Sequence, residues 1–166
     1  DQDKTRFSDS VLKKLFVLNY APNGMWQHIT SVYFLQNRND AGILEDTKFS
    51  KFLDRITAFI FAYAITNPGV NALRTPVYDE MINIINDNDA NFSKYKFNKT
   101  QARSFFENYV FTNQRSVTRS IITWYAYTFP QQQLLYVKEI YHLKHIYPKK
   151  RQEMERCLKS ESNLDS

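Results

Sequence analysis

Phe49-Ser50-Lys51-Phe52-Leu53-Asp54-Arg55-Ile56-Thr57-Ala58-Phe59-Ile60-Phe61-Ala62-Tyr63-Ala64 decides the fold class. Its apolar residues Phe49, Phe52, Leu53, Ile56, Phe59, Ile60, Tyr63 and Ala64 recur at spacings of three and four, which places them on one side of an α-helix. Asp46 or Thr47 is positioned to cap that helix, and Pro68-Gly69 to stop it. The apolar side widens toward the C-terminal half, so that half is expected to be the most buried element. Its longest apolar run, Ile56 to Ile65, is far below the ~18 residues a membrane span requires.

The same period continues on both sides. Upstream, Ser8 is placed as an N-cap, with Phe7 and Leu12 spaced for a hydrophobic staple. Val11, Leu12, Leu15, Phe16 and Leu18 follow, and Ala21-Pro22-Asn23-Gly24 breaks the helix. A second helix is expected from about Met25 to Asn37, with Trp26, Ile29, Val32, Tyr33 and Leu35 inward. Asn37 to Gly42 is a polar turn. Downstream, Thr75-Pro76 is expected to be a cap followed by proline at the first helical position. That helix carries Val77, Met81, Ile84 and Ile85 and ends in Asn86-Asp87-Asn88-Asp89. Asn98 and Gln101 have capping-box spacing for a fifth helix with Ala102, Phe105, Phe106, Tyr109 and Val110 inward. A sixth, from about Asn113 to Thr128, would bury Val117, Ile121, Trp124, Tyr125 and Thr128 before Pro130.

Beyond Pro130 the pattern shifts toward period two. Tyr141 to Tyr147 is expected to be a strand, followed by Pro148 and a short charged helix from Lys149 to Lys159. The expectation is therefore a mainly α, multi-helix domain over 1–130, roughly 60% helix, with a short C-terminal β element within 131–166. A lone strand leaves backbone donors and acceptors unpaired. Together with the absence of an initiator methionine, this suggests an excised piece of a longer protein.

The chain has 166 residues, with 43% hydrophobic, 23% charged, 3 Gly, 5 Pro and 1 Cys. These values fit one domain with a real core and argue against disorder or a turn-rich β-sandwich. The single Cys157 excludes an internal disulfide framework and a cysteine-rich zinc site. It suits a reducing compartment and is expected to be an ordinary residue. The polar start, Asp1 to Arg6, has no signal-peptide pattern. There is no Gly-rich phosphate loop, no paired-histidine zinc helix and no Gly-x-Ser-x-Gly elbow.

The 22 Lys and Arg against 17 Asp and Glu give a net charge of +5. The cations cluster. Lys138, Lys144, Lys149, Lys150 and Arg151 face only Glu139 between positions 138 and 151. Lys94, Lys96, Lys99 and Arg103 form a second group, and Arg115 and Arg119 lie one turn apart. Such clusters suit either phosphate contacts or a solvated face. His28 is expected to be structural. His142 and His145 would face opposite sides of a strand and so be poorly placed to chelate one ion; on a helix, three apart, they could.

His145-Ile146-Tyr147-Pro148 resembles the His-Ile-x-Pro signature that opens the HNH (His-Me finger) nuclease domain of GmrSD-type restriction endonucleases. Tyr20-Ala21-Pro22-Asn23, Trp26, Val32-Tyr33-Phe34-Leu35 and the Phe49 to Tyr63 helix also resemble the helical region preceding that nuclease in the family. The resemblance implies that 131–166 is the start of a truncated ββα-metal nuclease domain. It makes His145 the general base for an attacking water, and Pro148 the residue that turns the chain out of the strand. It implies a divalent ion, magnesium or manganese, and DNA as partner of the full-length protein. Lys144, Lys149, Lys150, Arg151, Arg115 and Arg119 would be its nucleic-acid contacts. The location implied is the cytoplasm of a prokaryote, and the role is a modification-dependent, phage-defence endonuclease. Two departures stand out. Lys144 occupies a position where many members carry an acid, and the family's downstream asparagines are not in this sequence. The fragment alone is therefore expected to be inactive and to need no cofactor. A non-enzymatic helical interaction or nucleic-acid-binding module is the other expectation.

Overall fold

The computed structural model describes residues 6–67, 71–96, 98–108 and 116–137. Six helices form this part: α1 (Asp9–Leu18), α2 (Met25–Asn37), α3 (Asp46–Thr66), α4 (Arg74–Ile85), α5 (Lys99–Glu107) and α6 (Ser116–Ala126). No strand occurs among the described residues. The strand expected over 141–147, the charged helix after it, His142, Cys157 and the Pro68-Gly69 stop lie outside them.

The central helix is α3. Phe49, Phe52, Leu53, Ile56, Phe59 and Ile60 are all buried, as their spacing predicts. They form the core with Val11 and Leu18 of α1, Ile29 of α2, and Val77 and Ile84 of α4. Neither Asp46 nor Thr47 is the cap. Glu45 is the N-cap, without a side-chain bond, and Asp46 is the first helical residue. The Asp46 carboxylate instead reaches α1, accepting from Ser8 N–H (2.9 Å) and Ser8 Oγ–H (2.7 Å). Ser8 Oγ in turn accepts from Val11 N–H, the expected cap of α1. In a capping box, a Glu or Gln three residues downstream binds the cap's backbone N–H. Here Val11 holds that position, and an acid from another helix takes over the task.

The contacts between α1 and α3 have an almost constant offset. Ser8 meets Asp46, Ser10 meets Ser50 at 3.4 Å, and Lys14 meets Asp54 at 2.6 Å, so the two helices run parallel. Helix α6 crosses α1 in the opposite sense. Ser120 Oγ donates to the Val17 carbonyl at 3.2 Å, and Lys13 Nζ to the Gln132 carbonyl at 2.6 Å.

The face of α6 departs from expectation. Its buried residues are Thr118, Ser120 and Thr123, while Trp124 is 39% and Tyr125 67% exposed. Thr128 is exposed as well. Small hydroxyl side chains let two backbones approach closely and can bond carbonyls locally, as Thr123 Oγ1 does to Arg119 (2.8 Å). Val117 and Ile121 of the expected face are half-buried, and Thr118 and Ser120, two residues apart, lie on opposite sides of the helix, so α6 is covered on more than the one expected side. Leu35 is a similar correction: it is 63% exposed near the end of α2.

Helix α4 begins at Arg74 with Leu73 as N-cap, two residues before the expected Thr75 cap. Pro76 therefore sits at the third helical position, where its missing N–H is still one of the helix's unused donors. At the other end, Asp87 N–H bonds the Ile84 carbonyl and Asn88 N–H the Asn83 carbonyl, with Asp87 at φ 57°. These two bonds constitute a Schellman cap. The chain then folds back under two consecutive α4 carboxylates. Glu80 Oε2 accepts from Asn91 N–H at 2.8 Å, and Asp79 Oδ2 from Tyr95 Oη–H at 2.6 Å. Between them Phe92, at φ 52°, stacks on Phe59 with centroids 3.8 Å apart. An aromatic residue rarely adopts that backbone region, and the buried stack is what offsets the strain.

Asn98 caps α5 as its spacing predicts, accepting from Gln101 N–H at 3.1 Å. Ala102 is buried, Phe105 half-buried and Phe106 exposed, while Tyr109 and Val110 lie outside the described residues.

Candidate functional site

An open cleft lies where the C-terminal ends of α2 and α4 approach the first half of α3. It has a volume of about 330 Å³ and adjoins a second of about 420 Å³, with Tyr33, Asn37 and Lys48 lining both. Helix periodicity explains the arrangement. Tyr33 falls on the core side of α2, and its ring stacks on Phe52 with centroids 3.9 Å apart and planes 15° apart. Lys48, Lys51 and Arg55 stand at i, i+3 and i+7 on α3, a single row beside the buried Phe52. The loop after α4 supplies Asp87, Asn88 and Asp89 as the facing wall.

Four of the charged side chains here form two ion pairs. Lys48 pairs with Glu45 at 2.9 Å and Arg55 with Asp89 at 3.0 Å, both exposed. Gln36 Nε2 donates to Asp87 Oδ1 at 2.9 Å. Burial pushes the Tyr33 phenol pKa up, Lys48 opposes this, and Asp89 and Glu45 reinforce it. Tyr33 is therefore a protonated hydrogen-bond donor across the neutral range. The Glu45 hydrogen bond raises the pKa of Lys48, so that side chain remains cationic.

Of the residues expected to contact nucleic acid, Arg119 alone is described. Its guanidinium lies 5.1 Å from the centre of the Tyr20 ring, within the α1–α6 contact. His145, Lys144, Lys149, Lys150, Arg151 and Arg115 fall outside the described residues. In the second basic group, Arg103 Nε bonds Glu107 at 2.8 Å and Lys94 lies 3.8 Å from Asp79. Lys96 and Lys99 are exposed, and so is His28 on the surface of α2.

No group of three or more His, Cys, Asp or Glu side chains gathers among the described residues. The segment around His145, where the nuclease resemblance implies a divalent ion, lies outside the described residues.

Sequence reading assigned Tyr33 to the core and did not single out the α3 cations. The signal that was present is their i, i+3, i+7 row directly beside an apolar stripe. What could not be read is that the α4 loop folds back opposite them. No helix among the described residues is long and apolar enough to cross a membrane. Searches against protein-family models, curated proteins and solved structures found no match to this chain.

Proposed function

We propose that this chain is the helical scaffold of a GmrSD-like, modification-dependent DNA endonuclease, and that His145 belongs to the nuclease unit that follows it. The observation that carries this reading is the His145-Ile146-Tyr147-Pro148 motif set directly behind a helical run, within the basic stretch Lys144 to Arg151. In this reading His145 accepts a proton from the water that attacks a phosphodiester. Lys144, Lys149, Lys150 and Arg151, with Arg115 and Arg119, contact backbone phosphates. Isolated from the rest of its site, His145 supplies little of the rate, so the 166-residue piece does not cut DNA.

The test uses the full-length protein and supercoiled plasmid carrying modified bases, in buffer with magnesium or manganese. His145→Ala retains DNA binding in a gel-shift assay and loses nicking. Undiminished nicking removes His145 from the mechanism.

The second reading is a helical interaction module without catalysis. It is favoured by Lys144, which stands where an acid would help hold a metal ion. Failure of the wild-type full-length protein to nick modified or unmodified plasmid with either metal supports the module.

A further inference from the structure

The cleft between α2, α3 and the α4 loop has features that the nuclease reading does not use. Every carboxylate on its walls already has a partner: Glu45 binds Lys48, Asp89 binds Arg55, and Asp87 accepts from Gln36. The middle cation of the α3 row is different. Lys51 is exposed, lines the cleft, and has no carboxylate within 4.0 Å among the described residues. It stands about one turn from each neighbour, about 4.5 Å along the axis from Lys48 and about 6 Å from Arg55. Tyr33 borders the same space, and its hydroxyl donates to no acceptor among the described residues. Its ring is fixed by the stack on Phe52, which limits the conformational freedom lost when the hydroxyl is engaged.

We propose that this cleft binds a small organic oxyanion, a phosphate ester or a carboxylate, with its charged group against Lys51 and accepting a hydrogen bond from the Tyr33 hydroxyl. The chemistry follows from what is left unmatched. An ammonium on α3 and a phenolic donor on α2, lining one cleft, suit an acceptor-only, negatively charged group. Glu45 and Asp89 are engaged in ion pairs, and one oxygen of Asp87 is occupied by the Gln36 amide. The volume of about 330 Å³ is within the range of small-molecule sites. Phe52 and Ile84 offer apolar surface for the body of the ligand. The proposal does not depend on His145 or on any nuclease activity.

The experiment is an amide NMR titration of the whole chain with inorganic phosphate, pyrophosphate and citrate. Saturable shifts are expected around residues 33–37, 48–55 and 87–90. Preference for pyrophosphate identifies a phosphate ligand, and preference for citrate a carboxylate. Lys51→Gln is expected to weaken the preferred probe by about tenfold. Tyr33→Phe keeps the stacked ring and is expected to weaken it several-fold. Lys96→Gln, on an exposed side chain outside the cleft, leaves it unchanged. The proposal is overturned if none of the probes saturates up to about 10 mM. It is also overturned if a folded Lys51→Gln protein, with an unchanged melting temperature, binds as tightly as the parent.

Discussion

Replacing Asp46 with alanine tests how two helix starts are tied together. The Asp46 carboxylate accepts from both Ser8 N–H and Ser8 Oγ–H, and it lies in the first turn of α3. The site is partly exposed, so water can take over some of what is lost. Two such hydrogen bonds contribute about 0.8 kcal/mol each. The favourable position of the acid at the α3 N-terminus adds about 0.4 kcal/mol. The expected loss is therefore about 2 kcal/mol. In urea denaturation, with a slope of about 2 kcal/mol per molar, that lowers the midpoint by about 1 M and leaves the slope unchanged. Ser8→Ala should cost about 1 kcal/mol through the lost cap to Val11, plus its share of the Asp46 link. The double variant is the decisive measurement. Because Ser8 and Asp46 share their bonds, the two single losses should overlap by about 1 kcal/mol. Losses that add to within about 0.4 kcal/mol would refute the shared-carboxylate account.

Two further outcomes follow from particular contacts. The Tyr95 pKa is pushed up to about 12, first by its hydrogen bond to Asp79 and then by burial. The folded state thus holds this proton above the ordinary tyrosine value of 10.0, so the stabilisation is complete below pH 10 and disappears as pH rises toward 12. Spectrophotometric titration should show one late phenol, and Tyr95→Phe should remove it along with that part of the alkaline stability loss. Ser120→Val places extra volume where α6 meets the Val17 carbonyl and should cost about 2 kcal/mol in thermal or urea unfolding. By contrast, Tyr125→Ser should change stability by less than about 0.5 kcal/mol, because Tyr125 faces solvent. The opposite ranking would restore the apolar face first expected for α6.

Helix positions were legible wherever a side chain closes its own local bond. Ser8 and Asn98 accept from backbone N–H groups three residues ahead, and such caps are visible in the order of residues alone. The core side of α3 was also legible, because six large apolar side chains agree on one direction. Legibility fails where a partner is distant in the chain. Asp46 looked like a cap of its own helix because nothing local reveals Ser8, 38 residues earlier. On α6 the buried residues are the hydroxyl-bearing Thr118, Ser120 and Thr123, one of them bonded to α1, and the spacing of apolar residues does not reveal them. The cleft was illegible for the same reason, since its facing wall exists only after the α4 loop has turned back. The strand and the histidine that motivated the nuclease reading fall on residues 138–166, outside the described part, and stay proposals.

The parallel placement of α1 on α3, closed from the far side by α6, has a consequence during synthesis. Ser120 is made 103 residues after Val17, the carbonyl it binds. At about 5–20 residues per second, the ribosome needs roughly 5–20 s to deliver α6 after α1. For that interval α1 and α3 can meet, but the third side of α1 has no cover. Until α6, the last of the described helices, has emerged, the face of α1 that it covers stays open to water.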